Sequence, residues 1–261
     1  MMKKQKLFVA KIGGNIIEDQ EALDSFLKDF SKVEGAKILV HGGGKSATNL
    51  ASKLNIKTEM IDGRRITSAE NLDIVVMTYA GLLNKTIVSG LQKNNCNAIG
   101  LTGADANVIL AKKREPKFID YGYVGDVIKV NDNVINNFLQ LGITPVFCAV
   151  THDGDGQLFN TNADTIASEI ASAMGNHFEV SLFYCFELKG VLENIEDKDS
   201  VIEHINLETY SKLRDTEVIA DGMLPKLQNC FEALHKNVNK VHIANAEFIR
   251  DNNIKHTTLS L

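Results

Sequence analysis

Lys37-Ile38-Leu39-Val40-His41-Gly42-Gly43-Gly44-Lys45-Ser46 sets a short apolar strand directly against a glycine turn, with a helix starting near Lys45 or Ser46. The same order occurs just before it. Leu7-Phe8-Val9-Ala10 ends on Lys11-Ile12-Gly13-Gly14, and a helix follows over 19–33, where Leu23, Phe26, Leu27, Phe30 and Val33 recur at helical spacing up to Gly35. Strand, glycine turn, helix, twice in succession, predicts a parallel α/β sheet. Further strands are expected at 97–101, 143–150, 178–188, 241–244 and 257–259, with a helix over 131–141. The alternating segments 108–113 and 123–130 predict a β-hairpin standing outside the main sheet as a lid.

Thr67-Ser68-Ala69-Glu70 has the form of a capping box and opens a long helix reaching about Lys93. Its apolar residues form two stripes, Leu72, Val75, Val76 and Tyr79 on one side and Ile74, Met77 and Leu82 on another. Such a helix needs two partners, and the expectation is its own sheet on one side and a second copy of the chain on the other.

A chain of 261 residues with net charge −5 can bury a large core and has no basic face for nucleic acid. Its four cysteines, Cys96, Cys148, Cys185 and Cys230, are widely spaced and read as buried reduced thiols of a cytosolic protein. The apolar run behind the basic start is too short for a signal peptide, and no stretch reads as long enough to span a membrane, so the expected location is the cytoplasm.

Gly42-Gly43-Gly44-Lys45-Ser46 imitates the end of a phosphate-binding loop, but the glycine required five places earlier is Leu39. The same stretch satisfies a dinucleotide fingerprint through Gly42, Gly44 and Ala47, with Glu59 or Asp62 as the later acid. A nicotinamide oxidoreductase is therefore an alternative. Against it, the fingerprint belongs after the first strand, where this chain has Lys-Ile-Gly-Gly. A glycine turn at a helix start lets backbone N–H groups approach an anion, and two such turns on neighbouring strands would face one cleft. Lys11 favours that reading over two merely structural turns, because an ammonium ending a buried strand is costly without an anionic partner.

Asn160-Thr161-Asn162-Ala163-Asp164 opens an apolar helix running to about Met174. Asp164 in the first turn suits the positive end of the helix dipole, and in isolation it reads as a cap. Together with Lys11 and Lys226 it reads instead as a carboxylate holding two ammonium groups across a site of phosphoryl transfer. Arg64-Arg65 is weak alone, though an arginine there can clamp a carboxylate. His41 reads as structural, hydrogen-bonded within its turn. No histidine has metal-site spacing to cysteines or carboxylates.

Taken together, the chain from Phe8 onward resembles the amino acid kinase family. The resemblance rests on Lys-Ile-Gly-Gly at 11–14, His-Gly-Gly-Gly at 41–44, Gly63-Arg64-Arg65-Ile66-Thr67, Asn84-Lys85, Gly100-Leu101-Thr102-Gly103 and Val124-Gly125-Asp126-Val127. Gly156-Gln157-Leu158 with the 160–164 stretch, and Asp221-Gly222-Met223 with Lys226, complete it. The fold implied is a three-layer αβα sandwich around a mainly parallel open sheet in two lobes. The first lobe (1–176) would bind an N-acyl-L-glutamate and dimerise through the helix from Ala69 to Lys93; the second (177–261) would bind ATP. The implied reaction phosphorylates the γ-carboxylate in arginine biosynthesis, on an N-acetyl or alternatively an N-succinyl substrate, with Mg²⁺ carried by the ATP phosphates.

Position by position, the resemblance implies that Lys11 and Lys226 stabilise the transferring group and Asp164 orients both. Gly13, Gly14, Gly43 and Gly44 would donate backbone N–H groups. Arg65, Asn160 and Asn162 would bind the acylated amino acid. Glu187, Leu188, Lys189, Gly190, Val191 and Leu192, with Val218, Ile219 and Ala220, would lie near ribose and base. Two departures from the family pattern stand out, Phe186-Glu187-Leu188-Lys189-Gly190 in the nucleotide lobe and His256-Thr257 near the end. They leave open a third reading, a ligand-binding or regulatory member with weak catalysis. Because about half a dozen residues precede the first strand, where arginine-regulated relatives carry a helix, a homodimer without arginine inhibition is expected.

Overall fold

Both apolar strands that end on glycine lie in the middle of one sheet, side by side. The computed structural model describes residues 4–61, 63–215 and 223–261. The first half runs β1 (Lys6–Ile12), α1 (Gly14–Glu18), α2 (Gln20–Ser31), β2 (Ala36–His41), α3 (Gly44–Lys53), β3 (Glu59–Ile61) and β4 (Arg64–Ile66). A continuous helix, Ala69–Lys93, comes next: α4 (Ala69–Val75), a π-wound segment Val76–Leu83, and α5 (Asn84–Lys93). Then come β5 (Ala98–Leu101), β6 (Ile109–Lys113), β7 (Gly125–Val130), α6 (Asp132–Gln140), β8 (Thr144–Cys148), β9 (Val150–His152), β10 (Leu158–Asn160) and α7 (Ala163–Met174). The chain closes with β11 (Glu179–Cys185), β12 (His204–Ile205), α8 (Leu207–Asp215), α9 (Leu224–His235), β13 (Lys240–Ala244) and β14 (Thr257–Leu259).

The main sheet has the order β12-β14-β13-β11-β1-β2-β8-β5 and is parallel except where β14 meets β13. Continuous apolar runs such as Ile38-Leu39-Val40 and Val146-Phe147-Cys148 are buried, as strands covered on both faces must be. β1 pairs with β11 on one side and β2 on the other, and their connections leave in opposite directions, which opens a crevice at the carboxyl edge. Register places Ile12 opposite His41 and Lys11 opposite Tyr184, so both glycine turns and the end of β11 reach that edge together. The boundary at 176 falls between α7 and β11, and β11 pairs with β1 along six residues, so the two halves share one sheet and one core.

Several expectations are corrected. The 108–130 hairpin exists as β6 and β7 and stands outside the main sheet as expected, but not alone. It belongs to a four-stranded sheet, β10-β9-β6-β7, because the apolar run after Ile143 breaks at Ala149 and its last residues cross to the side sheet as β9. The long helix is capped by Ser68, whose hydroxyl accepts from the Asn71 N–H at 3.2 Å. Thr67 cannot serve, because its backbone is committed to Tyr121 and Tyr123. The segment Ala69–Lys93 is 25 residues long and contains an 18-residue window with a mean hydropathy of 1.4, long and apolar enough to cross a bilayer. Here it lies on the protein, burying Ile74, Val75, Tyr79, Ile87 and Leu91 in the core. Its outer face leaves Met77 52 % and Leu82 64 % exposed. All four cysteines are free and buried.

Candidate active site

The Lys11 ammonium reaches the Asp164 carboxylate at 2.8 Å. Lys11 is the penultimate residue of β1, and Asp164 stands in the first turn of α7, held there by Asn162, whose side-chain oxygen accepts from the N–H groups of Asp164 and Thr165. The paired oxygen of Asp164 is shielded from solvent, and the contact is an ion pair without the angles of a formed hydrogen bond. Tyr184, opposite Lys11 in β11, donates to the Asp164 carbonyl at 3.2 Å. Burial pushes the Tyr184 hydroxyl well above the usual phenol range, so it is a neutral donor.

Lys226 comes from the first turn of α9, whose second residue is proline, at a position where the missing N–H costs nothing. Its ammonium lies over the Phe186 ring, 4.6 Å from the centroid, rather than in ion-pair contact with Asp164. The two residues nevertheless line one narrow crevice with Tyr184, Phe186, Asn229 and Cys230. Of the two lysines assigned to Asp164, the structure thus joins one directly and places the other beside it on a cation–π contact.

Two cavities meet here. One of about 760 Å³ is lined by Lys11, Gly13, Gly14, Gly44, Lys45, Lys226 and the stretch Phe186-Glu187-Leu188 with Gly190. The other, about 290 Å³, is lined by Gly42, Gly43, Gly44, Arg65, Asn160 and Asn162, with Tyr79, Arg114 and Asn229. Gly44 belongs to both. Arg65 is 7 % exposed, and its guanidinium donates to the Gly44 carbonyl at 2.9 Å and to Thr48 Oγ1 at 2.7 Å. No carboxylate pairs with it among the described residues. A buried guanidinium partnered only by neutral groups is suited to a carboxylate ligand. Asn160 spends its amide N–H on Thr67 Oγ1 at 3.0 Å, leaving its carbonyl oxygen as an acceptor. A Cβ at Gly43 would run into Leu83 and come to 2.9 Å from the Tyr79 ring, so only glycine brings this backbone under the long helix.

His41 is fully buried, and burial drives its pKa down to about 4. Asn84 donates to Nε2 at 3.1 Å, so Nδ1–H donates to the Gly42 carbonyl at 2.8 Å. The ring is a neutral brace of the turn.

Some expected nucleotide residues stand elsewhere. Lys189 turns outward to Asp199 at 2.7 Å, while Val191 and Leu192 are buried packing groups, the Val191 N–H donating to Thr257 Oγ1. Val218, Ile219 and Ala220, and also Asp62, Asp221 and Gly222, lie outside the described residues. A separate cavity of about 570 Å³ toward the amino ends of β1 and β11, lined by Phe8, His242, Phe248 and His256, lacks any lysine. That cavity has Arg250 beside Asp251 and no glycine turn, whereas the carboxyl edge brings Lys11, Lys45 and Lys226 to the two glycine turns.

The model of the amino acid kinase family matches residues 6–245. The chain belongs to the amino acid kinase family. Among curated members of this family, it is 58 % identical over 244 residues to acetylglutamate kinase of Cytophaga hutchinsonii, covering 93 % of this chain and 92 % of that one. It is 51 % identical over 248 residues to acetylglutamate kinase of Phocaeicola vulgatus, covering 95 % and 96 %. Among solved structures, the smu.665 protein of Streptococcus mutans aligns with a TM-score of 0.76 at 27 % identity, over 97 % of this chain and 98 % of that one. Carbamate kinase of Giardia lamblia shares the fold, with a TM-score of 0.70 at 14 % identity over 100 % and 99 % of the two chains. The amino acid kinase assignment agrees with the open, mainly parallel αβα sheet.

Arg114, Tyr79 and Asn229 were not read from the sequence as site residues. Arg114 is fixed by Asp126 across the β6–β7 ladder at 2.6 Å, a partnership no local signal announces. Asn229 had a findable signal: it lies three residues after Lys226, on the same helix face.

Proposed function

We propose that this amino acid kinase transfers the γ-phosphoryl group of ATP to the γ-carboxylate of N-acetyl-L-glutamate, giving an acyl phosphate. The observation that carries this is the Lys11–Asp164 pair beside two unlike cavities that share Gly44. One cavity offers a buried arginine and asparagine for an acylated amino acid; the other offers glycine turns and lysines for phosphates. The high identity to curated acetylglutamate kinases supports the substrate.

The nucleophile is a carboxylate with a pKa of about 4.3, ionised at neutral pH, so no general base is required. Charge on the loose, in-line transition state must be neutralised and the reacting groups held in line. Lys11, aimed by Asp164, and Lys226 meet that charge from two sides. Gly13, Gly14, Gly43 and Gly44 present backbone to the anionic groups, and Arg65 with Asn160 anchors the amino acid end, with Asn162 holding the start of α7. Glu187, Leu188 and Gly190 border the nucleotide cavity. The 1–176 half holds the acylated amino acid, and the 177–261 half holds ATP with its phosphates against the glycine turns of the first half. Mg²⁺ would arrive on the nucleotide phosphates rather than on a dedicated protein cage. When bound there, Mg²⁺ neutralises phosphate charge. The exposed Met77 and Leu82 face of Ala69–Lys93 pairs with a second copy, making a homodimer. The cytoplasm is the expected location.

Arg64 and Arg114 on the wall of the smaller cavity favour a second reading, in which the acyl arm ends in a carboxylate, as in N-succinyl-L-glutamate. An ATP-dependent hydroxamate assay with N-acetyl-L-glutamate, N-succinyl-L-glutamate, free glutamate and aspartate separates these. Trapped acyl phosphate is expected with an N-acyl-glutamate; its absence with all four removes the proposal.

A further inference from the structure

Lys45 breaks the rules of the helix that carries it. α3 starts on Gly43 with no side-chain cap, has glycine at its first position, and then places an ammonium in the first turn with no acid there. A cation at the positive end of a helix dipole opposes the local field, and local rules are broken mainly at functional sites. The side chain is exposed, yet it does not extend into solvent. Its stem crosses Gly14, where a Cβ would stand 3.6 Å from Lys45 Cδ, and its Nζ donates to Asn15 Oδ1 at 2.7 Å. Lys45 therefore spans from the second glycine turn to the first. Lys45 lines the 760 Å³ cavity together with Lys11 and Lys226. Glu187 and Glu247 also line that cavity, but no carboxylate lies within ion-pair distance of Lys45 among the described residues.

We propose that Lys45 is a third cation of the site, binding the terminal phosphates of the nucleoside triphosphate across the two glycine turns. The residue belongs to the stretch that imitates a phosphate-binding loop without completing its pattern, and the fold returns its lysine to a phosphate role by a different route. A polyphosphate beside it would reverse the sign of the electrostatics at the start of α3 and draw the ammonium from its neutral amide partner. This assignment rests on the kinase reading of the cleft.

Isothermal titration of the full chain with AMP, ADP and AMP-PNP in the presence of Mg²⁺, at one ionic strength, tests it on wild type, Lys45→Met and Lys45→Arg. Loss of a charge-assisted contact predicts that Lys45→Met weakens AMP-PNP about tenfold or more while AMP changes less than about twofold. Lys45→Arg should recover most of the loss, and the KM for the acyl-glutamate should hold. AMP-PNP affinity unchanged in Lys45→Met, or AMP weakened as much as AMP-PNP, overturns the assignment while leaving the kinase reading intact. A wild-type chain that binds none of the three nucleotides overturns both.

Discussion

Lys11 and Asp164 approach to 2.8 Å although one ends a central strand and the other begins a helix in the last third of the first half. The contact is fixed from both ends. β1 is locked between β2 and β11, and the first turn of α7 is tied by Asn162. An ammonium so placed is available to a developing charge with little rearrangement. Lys11→Ala is expected to lower kcat by about 10²–10³ with both KM values nearly unchanged, the signature of an interaction made in the transition state. Steady-state kinetics decide it; a raised KM at normal kcat would contradict the role.

Because Asp164 acts through Lys11, their losses should not add. Asp164→Asn keeps the shape of the side chain but removes the charge. Combining it with Lys11→Ala should cost little beyond the single lysine variant. Full additivity of the two effects in a double-mutant cycle would separate the residues functionally.

Arg65 predicts the opposite kinetic pattern. Arg65→Lys loses the planar fork that reaches Gly44 and Thr48 from one nitrogen and Thr58 from the other. The KM for the acyl-glutamate should rise by roughly ten- to a hundredfold, with the KM for ATP far less affected. Equal changes in both constants would point to a general distortion of α3 instead.

His41 gives the fold a pH dependence of known sign. Its native pKa of about 4 lies below the unfolded value of 6.5, so between these limits the unfolded chain binds a proton that the native one refuses. Its contribution is complete above about pH 6.5 and is lost as pH falls toward 4, amounting to on the order of 3 kcal/mol. Urea unfolding at pH 7.5, 6.0 and 4.5 should show falling stability, with a shallower fall in His41→Gln. Identical slopes in the two proteins would exclude His41 as the source.

The outer face of Ala69–Lys93 makes assembly testable. Met77→Lys combined with Leu82→Glu should convert a dimer to a monomer in light scattering, since both side chains stand out from the protein. A wild-type chain that is monomeric at micromolar concentration would end the dimer proposal.

What could be read beforehand follows the range of the interactions. The two glycine turns, the strands that precede them and the amphipathic helix over 19–33 are local patterns, and each lies where its pattern places it. The helix cap lies one residue later than the local pattern predicts because Thr67 is recruited by Tyr121 and Tyr123, more than fifty positions away. The crossing at Ala149 has no local signal because the apolar run 143–150 passes through it into the first residue of β9, and only the partner strands differ. Lys226 has a similar lesson. Its place in the cleft was legible, but its seat on Phe186 depends on where β11 happens to end. Conversion of the central helix segment Val76–Leu83 to π winding has no physical account in its residue types alone.

Gly13-Gly14 and Gly43-Gly44 hang from adjacent parallel strands, so the gap between them is ruled by main-chain hydrogen bonding at a spacing of about 4.8 Å. A ruler made of backbone does not wear out as side chains are exchanged. Evolution can therefore re-dress the walls for new acceptors while the width offered to a phosphoryl group stays where the sheet put it.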